Sequence, residues 1–183
     1  MDVIFPYLFA ERTPLVKMAV AKYIHDQGGV PEGRPTIQTV REGDQMVDTH
    51  SAIPGDDTPL RTAKIYLLVS NASASAAEHF ALALKSTGRA TLIGEATAGA
   101  NHFGGDRPLT DNFSVWMPVG RTYDIKTGKD WEGVGIEPDI AVDPTQALVV
   151  ALEKSGLSHE QAVALNATEV PAEPVHRDKL RAR

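Results

Sequence analysis

The segment from Ala63 to Gly94 does most to limit the folds open to this chain. Ala63-Lys-Ile-Tyr-Leu-Leu-Val-Ser70 is a short apolar run with β-branched and aromatic residues, as a buried strand requires. Residues 76–86 place Ala77, Phe80, Ala81 and Leu84 on one face at helical spacing, and Gly88 supplies a stop. Ala90-Thr-Leu-Ile-Gly94 reads as a second short strand. Strand, helix and strand at this length form a βαβ unit, which implies a parallel pair with a right-handed crossover. The fold class is α/β.

Composition removes several classes of function. Eighteen Lys and Arg against 24 Asp and Glu leave a formal charge of −6, with no basic excess to neutralise phosphates or an anionic membrane. The chain has no cysteine, so disulfides, thiolate nucleophiles and Cys-ligated zinc are ruled out. The longest apolar run, Ala147–Leu152, is far short of a membrane span. The first ten residues begin with Asp2 rather than a basic group and are broken by Pro6. They read as part of the fold and not as a signal peptide, and the compartment stays open.

The rest of the chain is read more coarsely. Residues 12–24 fit either an edge strand, with Val16, Met18 and Val20 alternating, or a helix. Residues 28–61 look like a long loop with one strand near Thr36–Arg41. From Asn112 to Val119, Phe113, Val115, Met117 and Val119 alternate with polar or special residues as in a half-buried strand, with Pro118 at its end or on an edge. Asp143-Pro144 and Ser158-His-Glu-Gln161 both carry helix-start signals, and a polar tail begins near Glu169.

Three segments could carry chemistry. In Asn71-Ala-Ser-Ala-Ser-Ala-Ala-Glu-His-Phe80, Ser75 falls where strand gives way to helix, with the N–H groups of Ala76 and Ala77 beside it at the positive end of the helix dipole. Such groups can stabilise a developing oxyanion. The same four residues, Ser75-Ala-Ala-Glu78, also spell a plain capping box, so nucleophile and helix cap both stand. The Gly-x-Ser-x-Gly elbow of α/β hydrolases is missing. Gly94–Gly105 is glycine-rich and contains His102, but no Gly-Lys-Ser/Thr follows, so it is not a P-loop. His159-Glu160 begins like a zinc-protease helix, yet Val163 stands where the second histidine would be needed. Glu132, in Trp131-Glu-Gly-Val-Gly-Ile-Glu-Pro-Asp139, fits a buried carboxylate that orients a base, or a solvated turn residue beside an apolar anchor.

In this order the segments resemble the tail-specific (C-terminal processing) serine protease family. The nearer branch holds the interphotoreceptor retinoid-binding protein modules and the tricorn core. The resemblance rests on Ser75-Ala-Ala-Glu78, Gly88-Arg-Ala-Thr91, Gly94-Glu-Ala-Thr97 and Trp131-Glu-Gly-Val-Gly-Ile-Glu-Pro-Asp139. It is dense from Ala63 to Asp143 and thinner over Val3–Thr62. It implies a ClpP/crotonase-like fold with a βαβ core, protease-like over residues 1–155, with a C-terminal helix and polar tail at 156–183. It makes Ser75 the nucleophile position and the Ala76 N–H an oxyanion donor. Glu132, 132 − 75 = 57 residues further on, takes the acidic position of the triad.

Two departures accompany it. The lysine base of the other branch would fall at Ala100, so a Ser–Lys dyad is excluded there. The histidine base of the tricorn-like branch, and the Gly-rich loop giving a second oxyanion N–H, belong to a segment ahead of this chain's first residues. The expectation is thus the C-terminal half of a module lacking its N-terminal segment, with His102 as the local substitute base. The resemblance implies a serine-type peptidase acting on a peptide or protein through an acyl-enzyme, with no metal or cofactor, and self-association of an incomplete module. The alternative is a non-catalytic module that binds an apolar ligand or peptide.

Overall fold

The computed structural model describes residues 1–27, 34–56 and 58–169. In chain order the elements are α1 (Phe5–Leu8), β1 (Thr13–Ala21), α2 (Lys22–His25), β2 (Ile37–Glu42), β3 (Gln45–Ala52), β4 (Tyr66–Val69), α3 (Ala76–Ser86), β5 (Thr91–Gly94), β6 (Phe103–Thr110), β7 (Phe113–Tyr123), β8 (Ile140–Ala141), α4 (Ala147–Lys154) and α5 (His159–Glu169). This is a mixed α/β chain in two compact units. One holds Met1–Ala63 and Asn101–Glu132, the other Lys64–Ala100 and Gly133–Arg183. No helix among the described residues is long and apolar enough to cross a membrane.

The first unit is built on an antiparallel five-stranded sheet in the order β2-β3-β1-β7-β6. Within the 12–24 segment Thr13–Ala21 is a strand, central and not an edge, and the chain then turns into the short helix α2. β1 pairs with β3 along its length and with β7 over Lys17–Val20. Its burial comes in adjacent pairs, Leu15-Val16 and Ala19-Val20, so both faces are covered and the period-2 signal is blurred.

The expected strand near Thr36 is β2. The segment taken as loop after it is β3, joined by a hairpin at Gly43-Asp44 with Gly43 at φ +61°. β3 hides in the sequence because Asp48, His50 and Ser51 are polar, yet all three are buried. Asp48 accepts from the Thr39 hydroxyl at 2.5 Å, and His50 pairs with Asp2 at 2.7 Å. Partial burial works against ionisation of Asp2, but its bonds to His50 and Thr36 hold its carboxyl below the usual range. The first ten residues belong to the fold as expected: Phe5, Leu8 and Phe9 are buried, and the Phe5 ring lies edge-on to His50.

β7 runs past Pro118 to Tyr123, so Pro118 does not end it. The ladder with β6 shifts register at Gly104, opposite Pro118, and β1 pairs with β7 only from Gly120 onward, so a missing N–H is tolerated there. β6 was unforeseen because its glycines read as loop. A Cβ on Gly104 would sit 2.0 Å from the Met117 carbonyl oxygen, so the glycine permits close strand approach.

The second unit contains the βαβ element. β4 and β5 are parallel, with Tyr66 opposite Thr91 and Val69 opposite Gly94, and β8 extends the sheet to the order β4-β5-β8. Ile93, Ala147 and Ala151 form a core against Tyr66, Ile140, Val142 and Val150. Leu84, Leu92 and Ile93 are fully buried, each contributing about 1.5–3 kcal/mol relative to exposure. Helix α3 has the expected bounds but a rotated buried face: Ala77 is exposed, while Glu78 is buried beside Ala81 and Leu84.

Both predicted C-terminal helix starts form. Asp143 accepts from the Thr145 N–H at 2.9 Å ahead of a 3₁₀ turn and α4, and Gln161 accepts from the Ser158 N–H at 3.1 Å at the start of α5. The tail expected after Glu169 and the part of the expected loop at 28–33 lie outside the described residues.

Candidate active site

Ser75 sits on a sharp corner between β4 and α3. The turn before it is closed by the Ser73 N–H donating to the Ser70 carbonyl at 2.8 Å and the Ser70 N–H donating to the Ser73 hydroxyl at 3.2 Å. Ser75 has φ 55° and ψ −114°, and it is the only non-glycine residue at positive φ among the described residues. Such backbone costs about 1–3 kcal/mol and persists only where its surroundings fix it. The side chain is exposed.

Glu78 does the fixing. Its carboxylate is fully buried and accepts four hydrogen bonds. Oε2 takes the N–H groups of Ser75 at 2.8 Å and Ala100 at 2.9 Å. Oε1 takes the Thr97 hydroxyl at 2.6 Å and the Gly99 N–H at 2.7 Å. A buried charge is tolerable only when paired or fully hydrogen-bonded, and here donors supply the compensation. The capping-box pairing is present, with its strong half running from the Ser75 N–H to Glu78. The Glu78 N–H goes to the Ser75 carbonyl at 2.9 Å, and the Ser75 hydroxyl makes no well-formed cap hydrogen bond.

The loop after β5 is locked in turn. Thr97 donates its hydroxyl to Glu78 and accepts the Ile136 N–H on that oxygen at 2.8 Å, while the Gly133 N–H donates to the Gly99 carbonyl at 2.9 Å. The loop glycines therefore serve close backbone packing: a Cβ on Gly135 would lie 2.1 Å from the Thr97 carbonyl oxygen.

Of the two N–H groups expected to be open beside Ser75, one is. The Ala77 N–H donates to the Ala74 carbonyl at 3.1 Å, whereas the Ala76 N–H has no acceptor among the described residues. Ala76 begins an 11-residue helix and is exposed, so its N–H carries the positive end of the dipole into solvent.

His102 and Glu132 belong to the first unit, in a cluster of their own. Glu132 is exposed beside the buried Trp131, and its Oε2 accepts the N–H groups of Asn101 and His102, each at 2.7 Å. The His102 Nε2 lies 3.6 Å from Asp130 Oδ2, and that oxygen also accepts from Arg121 at 3.0 Å. The other Asp130 oxygen accepts the Glu132 N–H at 3.2 Å. Partial burial disfavours the Asp130 charge, but Arg121, the Glu132 N–H and His102 outweigh it and hold the carboxyl below its usual range. The buried Asn101 amide pairs with the Thr122 backbone in both directions, at 2.7 and 3.0 Å.

The sequence singles out Ser75 and Ala76 as candidates, but it shows Glu78 only as a cap and gives no signal for Thr97 or Asp130. The spacing of Glu78 showed its local bond to Ser75. The bonds to residues 97–100 depend on how the loop returns, which no local pattern encodes.

The chain is 35% identical over 105 residues to the carboxyl-terminal-processing peptidase 1 of Arabidopsis thaliana chloroplasts, covering 54% of this chain and 21% of that protein. It is 33% identical over 121 residues to a carboxyl-terminal-processing protease of Picosynechococcus sp., covering 66% of this chain and 28% of that one. It thus spans less than a third of the length of these relatives. Among solved structures, the photosystem II D1 C-terminal processing protease shares the fold with a TM-score of 0.52 at 23% identity, covering 78% of this chain and 31% of that one. The profile of peptidase family S41 matches residues 15–142, and the chain belongs to that family.

Proposed function

We propose that the chain carries the nucleophile half of a serine-type peptidase, with the acyl-enzyme formed on Ser75. The observation that carries this reading is the corner itself: an exposed serine at φ 55°, held by a buried carboxylate, next to an N–H with no acceptor among the described residues. The Ser75 oxygen attacks a peptide carbonyl, and its proton passes to a base. The Ala76 N–H receives the negative charge that develops on the carbonyl oxygen. Collapse breaks the C–N bond as the base returns the proton to the leaving amine, and water then releases the acyl group. His102 is the proposed base, and Glu132 supports it by fixing its peptide N–H. The substrate class is polypeptide, near its C-terminus, in keeping with the relatives named for that processing.

A ClpP/crotonase-like fold is part of this reading, supported by the parallel β4-α3-β5 unit with the serine at its first turn. So is self-association, supported by the exposed Leu109, Phe113 and Trp116 of the β6–β7 hairpin and testable by sedimentation across a concentration series.

The test is intact-mass analysis after a fluorophosphonate probe, which acylates only an activated serine. One adduct, absent in Ser75→Ala, is the expected result. Folded protein without an adduct would overturn the reading and favour a binding module for an apolar ligand or peptide.

A further inference from the structure

The resemblance places the acidic member of the triad at Glu132. In the structure, however, Oε2 of Glu132 is occupied by two peptide N–H groups, those of Asn101 and His102. This carboxylate holds the backbone that carries His102, and among the described residues the acid within ion-pair distance of the ring is a different one. It is Asp130, whose Oδ2 lies 3.6 Å from Nε2.

We propose that Asp130 is the positioning residue of the His102 imidazole. It accepts from Nε2–H and leaves Nδ1 free to take a proton from a reacting hydroxyl. The assignment rests on the reading of His102 as the base. Three features of the cluster support it. Asp130 is fixed from both sides, through Arg121 on Oδ2 at 3.0 Å and the Glu132 N–H on Oδ1 at 3.2 Å, so it presents a set direction to the ring. Arg121 is itself braced, with its guanidinium 4.9 Å from the centre of the Tyr123 ring, within cation–π range. The charged groups around the imidazole are Asp130, Arg121 and Glu132, which together carry one net negative charge.

Closing the gap to a hydrogen bond of about 2.9 Å needs less than an ångström of movement by a side chain that is 38% exposed. Catalytic hydrogen bonds are commonly long before substrate is bound. Sequence gives one part of this arrangement. Asp130 lies two residues before Glu132 in a polar turn, Thr127-Gly-Lys-Asp130, where it reads as an ordinary turn residue.

The test uses the full chain and has two readouts. In the first, the ¹³C side-chain carboxyl signal of Asp130 is followed by NMR across pH. It should show a second inflection, beyond its own titration, that vanishes in His102→Gln. Absence of that inflection, or its survival in His102→Gln, overturns the proposal. In the second, fluorophosphonate labelling rates are measured against pH. Asp130→Asn should slow labelling on the order of tenfold to a hundredfold and change the shape of the profile, with fold checked by amide NMR spectra. Glu132→Gln should lower the rate while keeping the profile. The reverse pattern would make Glu132 the ring's partner and overturn the proposal while leaving the peptidase reading intact. An unlabelled wild-type chain would overturn the peptidase reading instead, and the carboxyl titration would still decide whether Asp130 faces His102.

Discussion

The buried carboxylate of Glu78 accepts the backbone N–H of Ser75 at 2.8 Å, and this bond ties the one strained non-glycine residue of the described chain to the interior of its unit. The same carboxylate collects three further donors from Thr97, Gly99 and Ala100, so the serine corner and the loop after β5 share one anchor. In Glu78→Gln the amide NH₂ replaces one acceptor oxygen and faces N–H donors, leaving at least one buried N–H unmatched. The expected loss of stability is about 2–4 kcal/mol. Urea denaturation measures it, and fluorophosphonate labelling of Ser75 should fall in parallel. An unchanged midpoint would mean that the four bonds contribute little.

The strain at Ser75 predicts a gain of stability from losing the side chain altogether. Glycine adopts φ 55° without a Cβ penalty, whereas alanine keeps it. Ser75→Gly should therefore be more stable than Ser75→Ala by about 1 kcal/mol in urea, with both unlabelled by the probe. Equal midpoints would show that the corner holds no strain.

Gly133 and Gly135 offer a matched pair. Both have left-handed backbone, at φ +73° and +78°, but a Cβ on Gly133 meets nothing within 4 Å while one on Gly135 strikes the Thr97 carbonyl. Gly133→Ala should cost only the backbone strain of about 1 kcal/mol. Gly135→Ala must in addition push the Thr97 loop away from Ile136, and should cost at least about 2 kcal/mol more. The difference in melting temperature between the two variants reads that collision directly. Equal values would show that the loop yields freely.

The parts of the fold visible in sequence are those whose burial is one-sided or whose signals are local. β4, α3 and β5 were legible from apolar runs and a helical period, and Asp143 and Ser158 from their caps. β1 was ambiguous because both its faces are covered, and β3 was missed because Asp48, His50 and Ser51 are buried polar residues whose partners come from other segments. β6 was missed because Gly104 serves strand approach, which looks the same in sequence as a flexible loop. At the candidate site, local spacing showed that Ser75 and the Ala76 N–H sit where strand gives way to helix. It could not find the second role of Glu78 or the placement of Asp130, since both depend on contacts across tens of residues.

The acid limb of stability should carry a signature from Asp139. Its carboxylate accepts from Lys85 at 2.7 Å and from the Leu92 N–H at 2.8 Å, while its own N–H donates to the Leu92 carbonyl, which fastens the Pro138-Asp139 segment beside β5. Partial burial works against its charge, but the Lys85 and Leu92 bonds outweigh that and hold the carboxyl below its usual range. A carboxyl depressed in the folded state contributes stability that is fully present above its unfolded value of about 3.9 and is lost as pH falls through the folded value. Stability should therefore decline below about pH 4, and Asp139→Asn should flatten that part of the curve while lowering stability at neutral pH. Lys85→Met should weaken the same slope without removing it, because the Leu92 N–H still favours the ionised carboxylate. Urea midpoints of the three proteins between about pH 2.5 and 7 would check this. An acid limb unchanged in Asp139→Asn would mean that other carboxylates set it, with Asp2 and Asp130, which are also held ionised in the folded chain, the next to replace.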